Sequence, residues 1–210
     1  MDPTMDPTMK PSTPVQTHWH DFYKAVEQRP PHETLLKALA HFGDERGRLA
    51  VDLGCGSGRD TLELLRRGWR VLAVDREGEG IERLRQRVPR HQRARLQTRV
   101  ASFEGMRDLP VCSFVNASFS LPFCAPTHFT GLWDRVVRAI RPRGRFAGTL
   151  FGERDSWAQA STMTFHTRAQ VEALLEPFEV EHLHEEDGVG ETALGDLKHW
   201  HVFEVVAFKR

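Results

Sequence analysis

Cysteine is scarce in this 210-residue chain: Cys55, Cys112 and Cys124 are the only three. That is too few for a disulfide framework, which excludes a small secreted scaffold and points to a reducing cytoplasm. No stretch approaches the ~18 consecutive apolar residues that a membrane-spanning helix needs. The opening MDPTMDPT has neither a basic start nor an apolar core, so it does not read as a signal peptide. Net charge is also missing, with 29 basic and 29 acidic side chains, which removes the simplest argument for a polyanionic partner. The 40% apolar content suits a packed globule, and at ~150 residues per domain the length suits one domain with an appendage.

The neutral total hides two unlike blocks. Arg83, Arg85, Arg87, Arg90, Arg93, Arg95, Arg99 and Arg107 share their stretch with one acid, Glu104. From Glu172 to Asp196 there is no Lys or Arg among nine acids. Such blocks read first as solvated faces.

Residues 1–14 carry a direct repeat and two further prolines with no apolar period, and read as a disordered tail. Val15, Trp19, Phe22, Tyr23 and Val26 recur at helical spacing, and Pro31 opens a second helix carrying Leu35, Leu36, Leu39 and Phe42. Strands and helices then alternate. Strands are predicted over 48–53, 70–75, 94–100, 111–117 and 145–150, with helices over 59–67, 79–88, 126–140 and 167–175. Two last strands, 178–184 and 201–207, follow with no helix between them. Alternation of this kind predicts an α/β fold: a seven-stranded, mostly parallel sheet covered by helices on both faces, with an antiparallel C-terminal hairpin strand.

The densest chemical signal is Val51-Asp52-Leu53-Gly54-Cys55-Gly56-Ser57-Gly58-Arg59-Asp60, a strand ending in an acid, then a glycine turn, then a helix. Glycines let backbone approach a ligand closely. Arg59 stands where a dinucleotide fingerprint wants a third glycine or alanine, and Asp52 would repel a pyrophosphate but suits an ammonium group. Asp75 closes the second strand about 20 residues later, where an acid accepts hydrogen bonds from ribose hydroxyls.

These two segments resemble the first two motifs of class I S-adenosylmethionine-dependent methyltransferases, a Rossmann-like fold, over roughly residues 46–210. The resemblance implies S-adenosylmethionine as cofactor, with S-adenosylhomocysteine as product. It implies that Asp52, Gly54, Cys55, Gly56 and Gly58 meet its methionine part, that Asp75 holds the ribose, and that Arg76 lies beside the adenine. Ser102 and Phe103 stand where the family usually places an acid near the adenine amino group. Asn116 and Ala117 start the segment where the methyl group meets its acceptor. That segment keeps an Asn and an aromatic but lacks the prolines of nucleic-acid amino-methyltransferases, so a nucleic-acid partner is not expected. Residues 15–45 are expected to form a helical lid over the methyltransferase domain at 46–210, with Arg29 as partner for the cofactor carboxylate.

Trp19, Tyr23, Phe119, Phe123 and Trp157, with Phe151 and Phe165, are the expected walls of an acceptor pocket, and imply a small flat or apolar molecule methylated on O, N or S. The rival readings are a peptide acceptor docked on the acidic face, and a non-catalytic cofactor-binding partner subunit. An NAD module is disfavoured by Arg59 and Asp52. His182 and His184 share one strand face and His199 and His201 another, which could hold zinc, and His18, His20 and His128 are candidate bases; no metal is expected, and no base is assigned. Oligomeric state is left open.

Overall fold

The computed structural model describes residues 19–44, 46–159 and 162–210. Two helices, α1 (Trp19–Val26) and α2 (Glu33–Ala40), precede the first strand. The alternating part then runs β1 (Leu49–Leu53), α3 (Arg59–Arg66), β2 (Arg70–Asp75), α4 (Gly78–Arg87), β3 (Leu96–Val100), β4 (Cys112–Ala117), α5 (Pro126–Ala139) and β5 (Ile140–Gly152). It closes with β6 (Phe165–His166), α6 (Arg168–Leu175), β7 (Phe178–Glu191) and β8 (Leu197–Lys209). The start of the helix expected from Val15 lies outside the described residues.

The main sheet runs β3-β2-β1-β4-β5-β8-β7. Its first five strands are parallel, and β8 is antiparallel to both β5 and β7. The seven expected strands and the inserted antiparallel strand are therefore present. An eighth strand, the two-residue β6, pairs with the end of β5 and was too short to carry a pattern.

Three strands run longer than the sequence reading predicts. β5 begins at Ile140 rather than Arg145, reaching back across Arg141-Pro142-Arg143-Gly144 with an irregular register opposite β4. β7 and β8 run to 14 and 13 residues, beyond the seven expected of each. The extra length of β7, Glu185–Glu191, is mostly polar and shows no apolar alternation. Ion pairs hold it instead: Arg154 bonds Glu185 at 2.9 Å and Asp187 at 2.6 Å, and His199 bonds Asp187 at 2.6 Å.

Alternating strand residues feed two cores. Val51, Leu53, Val74 and Val115 pack with Leu132, Trp133 and Val136 of α5 and Leu175 of α6. Ala50, Val71, Ala73 and Phe114 face the other way, onto Leu35 and Leu39 of α2, Leu64 and Leu65 of α3, and Ile81 and Leu84 of α4. Helix α2 is thus a covering helix of the sheet, and α1 alone, with the turn after it, extends beyond that layer. Strand order reverses between β1 and β4, which opens a crevice at their carboxyl ends, the place where sheets of this kind bind ligands.

Candidate functional site

A cavity of about 550 Å³ fills that crevice. Its first half is the turn after β1. Gly54, Gly56 and Gly58 all adopt left-handed φ, at 68°, 52° and 91°. A Cβ on Gly54 would lie 2.2 Å from Ser120 Cβ, and one on Gly58 2.3 Å from Leu84 Cδ1. Both positions are closed to any other residue without movement. Gly54→Ala is accordingly expected to cost ~1–3 kcal/mol from overpacking alone, with added strain from the left-handed φ, and denaturant unfolding would measure it.

Asp75, at the end of β2, accepts N–H groups of Gly56 at 2.7 Å and Glu77 at 2.8 Å, so its carboxylate fixes the glycine turn. Burial raises its pKa. Tyr23 of α1 covers the turn: Gly56 and Gly80 leave room for its ring and hydroxyl. Burial, then the nearby acids Asp75 and Glu77, raise the phenol far above its ordinary pKa, keeping it protonated. Arg87 ties these pieces together, donating to Ser57 O at 2.8 Å and to Glu27 O, just past α1, at 2.7 Å.

Behind the turn lies a buried carboxylate pair. Asn116 Nδ2 donates to Asp52 Oδ1 at 2.9 Å and to Asp60 Oδ2 at 3.0 Å. Thr61 donates to Asp52 at 2.5 Å, Ser118 to Asp60 at 2.7 Å, and His32 N to Asp60 at 2.9 Å. Burial first and the Asp60 charge second push Asp52 up to about 7. His32 is pushed down to about 4 by burial and is neutral, accepting from Arg59 Nη1 at 2.8 Å. Two carboxylates on the wall of one cavity make it a seat for a cation.

The second half of the cavity is aromatic. Phe151 and Trp157 are buried with Met163 and Val202, and Trp19, Phe22, Phe119, Phe123, Phe165 and Trp200 pack against them. Phe119 holds a left-handed φ of 50°, unusual for a bulky residue, with its N–H on Thr149 Oγ1 at 2.5 Å. Lys198 lies beneath this wall, its side chain fully buried, 2.5 Å from Asp155 and 3.7 Å from the Trp200 ring centre.

Most of the expected site residues reach the cavity: Arg29, Asp52, Gly54, Cys55, Gly56, Asp75, Arg76 and Phe103 line it, as do Trp19, Tyr23, Phe119, Phe123 and Trp157. Four do not. Gly58 packs under α4, Ser102 turns its hydroxyl to Gly105 N at 3.1 Å, Asn116 is spent bridging the two acids, and Ala117 points into the core. The sequence reading missed His32, Arg59, Asp60, Glu77, Glu104, Ser118 and Trp200 on the wall. Asp60 was the most legible of these, directly after the glycine turn on the first turn of α3. Of the weighed histidines, His20 pairs with exposed Glu79 and His201 with Glu185. His18 lies outside the described residues, and among those described no cluster of metal ligands forms.

Residues 50–144 match the family profile described as a methyltransferase domain. A probable cobalt-precorrin-6B C(15)-methyltransferase (decarboxylating) of Methanothermobacter thermautotrophicus is 44% identical over 115 residues, 55% of this chain. This chain spans 57% of that relative's length. Among solved structures, TehB from Haemophilus influenzae superposes with a TM-score of 0.74 at 14% identity, covering 90% of this chain and 66% of that one. The Burkholderia thailandensis 1,6-didemethyltoxoflavin-N1-methyltransferase, solved with its substrate and S-adenosylhomocysteine, gives 0.64 at 20% identity over 99% and 93% of the two chains. The N-methyltransferase NodS from Bradyrhizobium japonicum gives 0.67 at 12% identity over 91% and 97%. These likenesses establish a shared fold.

Proposed function

We propose that this chain, whose residues 50–144 match a methyltransferase-domain profile, transfers a methyl group from S-adenosylmethionine to an O, N or S atom of a small, flat or apolar molecule. The observation that carries this reading is the division of one cavity into an acid-lined glycine turn and an aromatic chamber.

The donor set fits the cofactor. Asp75 and Arg76 would take the ribose and adenine, with Phe103 offering a ring face and Glu104 an acid at the adenine edge. Asp52 and Asp60 would face the cationic amino-acid end, and Arg29 and Arg59, both on the cavity wall, would meet its carboxylate. When bound, S-adenosylmethionine supplies an electrophilic methyl group on a sulfonium. The residues of the chain then align the acceptor and exclude water, the contributions that an in-line displacement needs most. No side chain of the aromatic half is assigned as a base.

Calorimetry tests the reading: S-adenosylhomocysteine is expected to bind and NAD not to bind. Affinity should also follow pH. Asp52 holds a proton below about 7 and ionises above it, so binding of a cationic ligand strengthens as pH rises through 7 and weakens as it falls. A flat profile between slightly acid and slightly alkaline buffer would count against Asp52 as the cation's partner.

The acidic face gives little support to a peptide acceptor. Glu185 and Asp187 are already paired with Arg154, Glu185 also with Arg168, and Glu181 with Arg145. No helix among the described residues is long and apolar enough to cross a membrane; a cytoplasmic location and the absence of a nucleic-acid partner remain part of the proposal.

A further inference from the structure

The hairpin of β7 and β8 carries different charges on its two faces. Register sets Glu186 opposite Val202, Gly188 opposite Trp200 and Gly190 opposite Lys198, so these six positions share one face. Glu185, Asp187, His199 and His201 share the other. On that other face both acids are paired, Glu185 with Arg154, Arg168 and His201, and Asp187 with Arg154 and His199. On the first face, Val202, Trp200 and Glu186 all line the cavity. Glu186 is exposed, so a ligand in the cavity can reach it, and among the described residues it has no hydrogen-bond or ion-pair partner. A Cβ on Gly188 would meet no atom within 4 Å beyond its chain neighbours, which leaves open space beside that carboxylate.

No cation in the aromatic half offsets this charge. The three arginines on the cavity wall lie with the acids of the cofactor half: Arg76 pairs with Glu77 at 3.0 Å, and Arg29 and Arg59 stand close enough to His32 to depress its pKa. Lys198 lies behind the aromatic wall and is neutralised by Asp155 at 2.5 Å. Glu191, at the end of β7, also lines the cavity and adds charge of the same sign. The chamber thus joins the rings of Phe119, Phe151, Trp157 and Trp200 to an uncompensated carboxylate. Ring faces attract cations and repel anions, and a carboxylate does the same.

Resting on the methyl-transfer reading, we infer that the acceptor is an organic cation, a flat body bearing an ammonium group, and that Glu186 is the specificity residue that pairs with that group. The rings take the flat body, and Glu186 turns its charged end toward the hairpin. A neutral molecule of the same shape loses the pairing. An anion of the same shape meets repulsion from Glu186 and Glu191 together.

Three probes of one shape separate the charges: naphthylmethylammonium, naphthylmethanol and naphthoate, titrated by ligand-observed NMR at neutral pH with S-adenosylhomocysteine saturating. The ammonium probe is expected to bind about tenfold more tightly than the alcohol, through ring faces and carboxylate together, and naphthoate more weakly than either. Glu186→Gln should lower the preference for the ammonium over the alcohol about fivefold, the worth of one solvent-exposed ion pair, and leave the affinity for S-adenosylhomocysteine unchanged. Glu176→Gln, which removes an exposed acid of the same block just past α6, should keep the preference. Binding of the alcohol or naphthoate as tight as that of the ammonium, or no detectable binding of the ammonium, overturns the inference. So does a preference unchanged in Glu186→Gln or equally lowered in Glu176→Gln. A loss of S-adenosylhomocysteine affinity in Glu186→Gln overturns it too, by placing the carboxylate on the cofactor. Failure of the unaltered protein to bind S-adenosylhomocysteine at all overturns the methyl-transfer reading instead.

Discussion

Asp75→Ala should weaken S-adenosylhomocysteine binding by about a hundredfold, read by calorimetry. Two losses combine in that figure. The carboxylate is the proposed ribose partner, and a charge-assisted hydrogen bond is worth ~1.5–3 kcal/mol, about 10- to 150-fold. It also holds Gly56 N and Glu77 N at 2.7 and 2.8 Å, so its removal frees the turn that shapes the cofactor half. Burial raises the pKa of Asp75, a sign that its charge costs the fold some stability, so the thermal midpoint should move far less than the affinity. Asp75→Asn should fall between, since one amide oxygen still accepts while the amide nitrogen confronts a backbone N–H. An unchanged affinity in Asp75→Ala would sink the ribose assignment.

Lys198→Met is the second large effect, and it falls on stability. Lys198 and Asp155 form a salt bridge with neither side chain exposed to solvent. Asp155 also accepts N–H groups of Trp157 at 2.9 Å and His201 at 3.2 Å, which fixes the loop carrying Trp157. Methionine fills much the same space but strands the Asp155 charge in the interior. Breaking a buried pair from one side costs ~3–5 kcal/mol, about 2–4 °C of melting temperature per kcal/mol in a chain of this size. Adding Asp155→Asn removes the stranded charge; its one amide oxygen accepts one of the two N–H groups, which bond different oxygens of Asp155, while its nitrogen confronts the other, so the double variant should recover part of the loss. A double variant no more stable than Lys198→Met would show that the cost lies in packing against Trp157 and Trp200.

What the sequence revealed and what it hid divide along a physical line. The Asp52 to Asp60 segment and Asp75 were readable because backbone geometry demands glycine there, and because strand ends place acids at a fixed spacing. The inner parallel strands β1, β2 and β4 announced themselves through buried apolar runs. The hairpin's outer half did not, since Glu185 to Glu191 is held by ion pairs across strands rather than by an apolar face. Asn116 showed a different limit. Its position at the end of β4 was legible, yet its partners Asp52 and Asp60 lie 64 and 56 residues away, and only the fold reveals that its amide is spent on them. His32 and Trp200 reach the wall for the same reason, brought in from elements with no motif of their own.

The placement of β8 sets an order of assembly. The centre of the cofactor half comes from residues near one another in the chain, the glycine turn bonding to Asp75 across 19 positions. The aromatic half waits for Trp200 and Val202, because β8 must slot between β5 and β7 before either can be in place. Until then β5, with Phe146, Leu150 and Phe151, is an open edge, the kind of surface that seeks a strand from any chain nearby. Pairing β8 with β5 joins residues far apart in the chain, so the acceptor chamber depends on a non-local step. A growing chain can possess its cofactor cradle well before it possesses a place for the molecule to be methylated.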